Sequence, residues 1–279
     1  MKKFKVALQL YSVRDEMEKD MESALRAVKA MGYDYVEFAG YCGHSAEEVR
    51  RMLDTIGLEC VSVHQGYDVF LKNGEAEAAF LKTIGAQYCA VPWMGPEGHR
   101  GSGAFGQTLR DFSEVSRTLK AAGIQLLYHN HDFEFETVDG KYKLDWLYES
   151  LPADVLQTEI DTCWVRYAGE DPAAYLRRYA GRSPVVHLKD FTSSRLKGGP
   201  VYALIDNEGN AGETAQSEEA ANDFRFQPLG RGIQDFPAIL AAAEDAGTDI
   251  VVVEQDASPD RPTLEAARIS REYLKSLGL

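Results

Sequence analysis

Two hydrophobic rhythms alternate along the chain. Apolar residues spaced by threes and fours, the mark of one buried helical face, occupy Met21 to Met31, Ala46 to Ile56, Ala76 to Ile84 and Leu109 to Ala122. Between them lie short apolar runs of strand length. The junctions repeat: a helical segment ends at glycine and an apolar run starts two or three residues later. MGYDYVEF around Gly32, IGLECVSVH around Gly57, IGAQYCAVPW around Gly85, AGIQLLYHNH around Gly123 and AGTDIVVVEQD around Gly247 all follow this plan. Glycine takes the left-handed conformation that closes a helix, so each junction predicts a helix C-cap leading into a strand.

Adding Phe4 to Tyr11, Val155 to Asp161 and Val185 to Lys189 brings the strands to eight, mostly rich in Val, Ile and Leu. Such runs suit a parallel sheet covered on both faces. The expectation is one α/β domain over residues 1–279, a (β/α)8 TIM barrel. A doubly wound open sheet is the rival, but it usually carries a glycine-rich phosphate loop after its first strand, and LQLYSVRDE has no glycine. From Thr192 to Gln227 the rhythm fails in a long polar loop rich in Gly, Ser, Asn and Glu. Loops of that length act as lids or are surface decoration.

Charge narrows the partners. Asp and Glu total 44 against 30 Lys and Arg, a formal net charge of −14, with no basic run. A nucleic-acid reader needs a basic stripe to displace counterions, so nucleic acid is not an expected partner. No apolar segment reaches the roughly 20 residues that span a bilayer, and the apolar start is interrupted by Gln9, Ser12 and Arg14. A cytoplasmic protein acting on a small molecule is expected, with no membrane partner. Cys42, Cys60, Cys89 and Cys163 form no CxxC pair and read as buried thiols.

In such a barrel the chemistry sits where strands end. The ends here present Glu37, His64, Trp93, His129 with His131, Glu159 with Asp161, His187 with Lys189, and Glu254 with Asp256. Residues two apart share a strand face, so each pair can point inward together, and closure brings the eighth strand beside the first. Imidazole and carboxylate in one pocket suit Mn, Fe, Co, Zn or Mg. Each residue also has a purely structural reading. A strand-end His64 or Glu37 can be a satisfied core residue, Asp161 can cap the following helix, and Lys189 can pair with Asp190 or Glu159. Trp93 and Trp164 can wall a sugar ring or merely pack. His44 and His99 lie in glycine-rich loops and carry little weight. In the PLGRGIQDF turn, Arg231 can bind a substrate oxygen or phosphate.

Taken together, LQLYSVRDE, GYDYVEF, YHNHDFEF, IDTCWV, VHLKD, PLGRGIQDF and VVVEQD resemble, in order and spacing, the sugar phosphate isomerase/epimerase family, whose members have the xylose-isomerase-like TIM barrel. The resemblance covers nearly the whole chain. It implies a metal held by strands five to eight: Asp161, His187 and Glu254 match the motif residues of the last three. The fifth strand departs from the pattern, with His129 where many relatives carry glutamate before Asn-His. His129 is therefore the expected fourth ligand, and Glu134 the alternative.

The resemblance also implies a class of chemistry. A metal polarises a carbonyl or hydroxyl of a sugar, phosphorylated or not, and a base removes the adjacent proton to give an enediolate. Glu254 is the expected proton-transfer carboxylate, Glu159 or His131 serves on the opposing side, and Lys189 steadies an oxyanion. Glu37, His64, Trp93, Trp164 and Arg231 are the expected substrate contacts. Isomerisation or epimerisation is the first reading. Dehydration of an inosose and lysis of a 3-keto-glycoside belong to the same superfamily, and a non-catalytic sugar-binding or partner subunit is the reading from another class; a small-molecule sugar is the expected partner, with a homo-oligomer as a further possible association.

Overall fold

The structure is a computed structural model that describes residues 3–197 and 223–279. Eight parallel strands close on themselves in sequence order: β1 (Lys5–Gln9), β2 (Tyr35–Phe38), β3 (Glu59–His64), β4 (Tyr88–Val91), β5 (Gln125–His129), β6 (Gln157–Asp161), β7 (Val185–Leu188) and β8 (Ile250–Val253). The last pairs with the first, Leu8 opposite Val253, so no open edge remains and the doubly wound alternative is excluded. This is the (β/α)8 barrel that the sequence predicts.

The helices follow the same logic. Met21–Met31 and Ala46–Ile56 have the predicted bounds, the second opened by a reciprocal Ser45–Glu48 capping box. Tyr67–Ile84 and Phe105–Ala121 begin earlier than their apolar spacing suggests, and the first is kinked at Asn73. All five junction glycines have positive φ, from 79° at Gly57 to 94° at Gly32. Among the described residues no helix is long and apolar enough to cross a membrane.

Three expectations need correction, two of them in the backbone and one at Cys42. The first strand stops at Gln9 rather than Tyr11, because the Gln9 side chain accepts from the Tyr11 N–H and starts a 3-10 turn over Leu10–Val13. The stretch from Thr192 to Gln227 is not loop throughout. Asp190–Thr192 pairs antiparallel with Arg225–Gln227 through Phe191 and Phe226, a hairpin whose apolar positions are too few to show as periodicity. Residues 198–222, the middle of that stretch, lie outside the described residues, and the expected lid falls there.

Two cores result. The larger lies between the strands and the surrounding helices, with Leu25, Val49, Leu53, Leu81, Phe112 and Leu240 among its buried residues. The other fills the barrel with Ala7, Val61, Ala90, Leu127, Val185, Ile250 and Val252. Cys60, Cys89 and Cys163 are buried as expected, but Cys42 is exposed, in a turn with φ of 51°.

Candidate metal centre at the barrel mouth

Inward-facing residues change chemistry with height along the strands. Above the apolar floor, one residue pair further along, come Gln9, Glu37, His64, His129, Glu159 and His187, followed nearer the mouth by Asp161, Lys189, Glu254 and Asp256. All are buried except His64, whose side chain keeps 8% exposure. So many buried ionisable groups are tolerable only when they neutralise one another or hold a cation.

Their pairing is specific. His187 lies between two carboxylates, Nδ1 at 2.9 Å from Glu254 Oε2 and Nε2 at 2.7 Å from Glu37 Oε1. Gln9 Nε2 donates to the same Glu37 oxygen at 2.7 Å. His64 Nε2 lies 2.6 Å from Glu159 Oε2. Lys189 Nζ stands at 3.0 Å from Asp161 Oδ2, 2.9 Å from Glu254 Oε2 and 3.0 Å from Asp256 Oδ2. The sequence predicts Asp190 or Glu159 as the partner of this lysine. Instead, Asp190 turns to the PLGRGIQDF segment, and the carboxylates that surround the ammonium come from β6 and from the residues just after β8.

The electrostatics follow from this arrangement. Burial pushes the Glu159 carboxyl up to about 7, with the Glu37 charge adding to it. Burial acts in the same direction on Glu254, but Lys189 and His187 outweigh it and hold that carboxyl well below its ordinary range. His129 is driven the other way. Burial, then the neighbouring His187 and His64, lower its pKa well below the usual value, which keeps the ring neutral. A neutral imidazole is the ligating form.

Donor atoms of His129, Asp161, His187 and Glu254 all lie within 4.8 Å of one another, and all four residues are buried. Among the described residues His129 makes no hydrogen bond through either nitrogen, although its Nε2 is 3.4 Å from Asp161 Oδ2 and 3.7 Å from Glu254 Oε2. Asp161 Oδ2 likewise has no hydrogen bond among the described residues: its contact with Lys189 is an ion pair without hydrogen-bond geometry. A buried, unpartnered imidazole converging with two carboxylates and a second histidine fits a divalent ion. Asp161 does double duty. Its Oδ1 accepts from the Cys163 and Trp164 N–H groups and caps Thr162–Tyr167, while Oδ2 faces the cluster.

The other expected residues fall into two groups. His131 stacks on Phe133 at 5.5 Å and lies 4.9 Å from the His129 ring. Trp164 is fully buried, stacked on Phe224 at 5.8 Å, with Lys189 Nζ 5.3 Å from its ring. Both therefore border the cluster. Trp93 is 49% exposed and makes no ring contact with it among the described residues. Arg231 is exposed, and its turn closes on Asp190, which accepts from the N–H groups of Gly230, Gly232 and Gln234. Glu134 stands apart: Tyr128 O–H donates to one of its oxygens at 2.5 Å and His131 N–H to the other at 2.8 Å. Three contributors carried no role in the sequence reading. Asp256 holds Lys189, Gln9 holds Glu37, and Asn130 accepts from the Asp161 N–H at 3.0 Å. Asp256 was the most legible, two residues beyond Glu254.

A closed eightfold parallel barrel with a buried imidazole and carboxylate cluster at its C-terminal mouth defines a TIM-barrel protein with a candidate metal centre. The chain belongs to the xylose isomerase-like TIM barrel family, whose model matches residues 25–277. No curated protein matches it in sequence. Among solved structures it is similar to a sugar phosphate isomerase/epimerase from Parabacteroides distasonis, with 20% identity, a TM-score of 0.78 and coverage of 99% of this chain and 95% of that one. It is also similar to the IolI protein with a binding zinc atom (16% identity, TM-score 0.71, 98% and 97% covered) and to an L-ribulose 3-epimerase (16% identity, TM-score 0.66, 99% and 95% covered). At these identities the likeness is one of fold.

Proposed function

We propose that the protein is a metal-dependent isomerase or epimerase of a sugar or keto-sugar. The observation that carries this reading is the convergence of His129, Asp161, His187 and Glu254, from four consecutive strands, within 4.8 Å. These residues would hold one divalent ion. When bound, such an ion polarises a carbonyl or hydroxyl and acidifies the neighbouring C–H. Two of the structural relatives are named a sugar phosphate isomerase/epimerase and an L-ribulose 3-epimerase, and a third is described with a bound zinc atom, which agrees with this assignment.

The chain's own residues supply the rest. Glu254 Oε2 is held by His187 and Lys189, and among the described residues no hydrogen bond or ion pair engages Oε1, leaving that oxygen to take the proton. Lys189 brings a buried positive charge to the same point, where it steadies an oxygen that gains negative charge. His131, whose ring lies parallel to Phe133 at 5.5 Å between centroids and 5.9 Å from that of Trp164, and Glu159 in the layer below are the groups for proton return. Trp164 walls the lysine side.

A panel of ketoses, 3-keto-glycosides and inososes incubated in D2O with metal-loaded protein tests the reading. One member should exchange its α-hydrogen, and Glu254→Gln should slow that exchange by orders of magnitude, with metal content measured in parallel. Tight binding of a panel member with no exchange and no product would replace the enzyme by a sugar-binding subunit. Release of water or of a glycan would move it to dehydration or lysis.

A further inference from the structure

The proposed function gives no part to the first βα turn, although LQLYSVRDE stands out in the sequence. β1 and β8 pair as far as Leu8 opposite Val253, and there the backbone ladder between them ends. β1 turns away after Gln9 into the 3-10 turn Leu10–Val13, so the backbone that follows Val253 has no strand beside it on that side. On the β7 side the sheet still holds it, with the Glu254 N–H donating to Leu188 O at 3.1 Å. Buried backbone donors and acceptors are costly when left alone, so the groups facing β1 need other partners.

Side chains of the turn supply them. Ser12 Oγ accepts from the Gln255 N–H at 3.0 Å, and both residues are buried. Arg14 donates through Nη1 to Tyr11 O and to Asp256 O, each at 2.9 Å, with its guanidinium carbon 4.0 Å from the centre of the Tyr11 ring. One nitrogen thus ties the turn after β1 to the backbone after β8. A further tie, from Thr263 Oγ1 to Asp15 Oδ1 at 2.7 Å, fixes the far end of the same loop, where the helix Thr263–Ser276 begins. What is gripped is the part of the mouth where the chemistry is proposed. Gln255 lies between Glu254 and Asp256, whose oxygens stand 2.9 Å and 3.0 Å from Lys189 Nζ. Displacing a reacting group by about 1 Å can cost about a hundredfold in rate, so the backbone that carries Glu254 has to be fixed on both sides.

We propose that Ser12 and Arg14 are positioning residues. From the first βα turn they set the backbone of Gln255 and Asp256, and through it the oxygens that Glu254 offers to the metal and to the migrating proton. They act through that backbone and not as ligands. The inference rests on the proposed function for this use of Glu254.

The test reads the Zn2+ affinity of the whole chain, by competition with a chromophoric chelator, beside kcat and KM for α-hydrogen exchange. In Arg14→Ala, Zn2+ affinity and kcat should each fall about 10–100-fold, the usual loss when a group that supports a metal ligand is removed, while KM changes little. Millimolar guanidinium, against a sodium chloride control, should fill the void and restore both. Ser12→Ala should lose affinity and kcat in the same direction, by less. If circular dichroism shows Arg14→Ala unfolded, Ser12→Ala, which removes a single oxygen, carries the comparison. A folded variant with a lower melting temperature but wild-type Zn2+ affinity and kcat would make the turn a purely structural tie and overturn the proposal, as would losses in Arg14→Ala that guanidinium leaves unchanged. Both outcomes leave the proposed function intact. If no panel member exchanges in wild type, the proposed reaction fails, and the affinity comparison alone decides the positioning role. A wild type that takes up no Zn2+ overturns both.

Discussion

Lys189 Nζ and Glu254 Oε2 stand 2.9 Å apart, both buried, and the same ammonium reaches Asp161 and Asp256. One lysine thus compensates three carboxylates, two of which, Asp161 and Glu254, belong to the proposed metal donor set. Removing one partner of a buried ion pair typically costs about 3–5 kcal/mol, because the charge left behind has no solvent. Lys189→Met should therefore lower metal-free stability by about that amount in urea titration. Zn2+ should recover much of the loss and should bind more tightly than to wild type, since no ammonium competes for the same oxygens. Equal metal affinity in both proteins would show that Lys189 and the ion do not share them.

Glu134 gives a pH dependence that is separate from the metal. Burial raises its carboxyl from 4.5 to about 8, against opposing hydrogen bonds from Tyr128 and the His131 N–H. A group whose folded pKa is raised binds its proton more tightly in the native state. Its contribution is full below pH 4.5 and is lost as pH rises through 8, with a slope of up to about 1.4 kcal/mol per unit for one proton. Glu134→Gln keeps an acceptor for the His131 N–H and has no charge to bury. The fall in stability across that window should be shallower in the variant, read by thermal melts at fixed ionic strength.

The turn that holds Arg231 is tied to the hairpin through Asp190. A Cβ on Gly232 would lie 2.2 Å from Asp190 Oδ1 and 2.3 Å from Phe191 O, and the second of these is backbone that cannot swing away. Gly232→Ala should destabilise the chain by about 1–3 kcal/mol, the usual cost of forced overpacking. Arg231→Ala, at an exposed side chain, should stay within about 0.5 kcal/mol of wild type. If Arg231 holds substrate, its loss appears only in KM.

Trp164 bridges the site and the hairpin. It stacks on Phe224, meets Phe226 edge-on at 5.8 Å and borders Lys189. Trp164→Ala should cost about 3–5 kcal/mol, whereas Trp164→Phe, which keeps an aromatic ring in the same stack, should cost less. Zinc stoichiometry should be unchanged in Trp164→Phe, because no donor is lost. A change there would mean that the indole positions the ligands.

Local chemistry determined much of this protein before any contact was known. Glycine is the residue that closes helices at Gly32, Gly57, Gly85, Gly123 and Gly247, and apolar runs after each one make strands, so the eightfold alternation and the barrel are legible in the chain. The period of two along a strand likewise places His129, Asp161, His187 and Glu254 on inward positions at strand ends. Only the tertiary structure decided which atoms meet. Glu37 and His187 are 150 positions apart and touch because closure, stagger and strand tilt bring β2 opposite β7, quantities that no local pattern encodes. The same holds for Lys189, whose partners come from β6 and from the residues just after β8 rather than from the adjacent Asp190, and for Arg231, whose turn is folded onto that aspartate. The hairpin of Asp190–Thr192 with Arg225–Gln227 has no local signature because its burial comes from Phe224 and Phe226 packing on Trp164, a long-range contact that three-residue strands cannot announce. Sequence periodicity reports which face of an element is buried, and the barrel alone determines what lies against it.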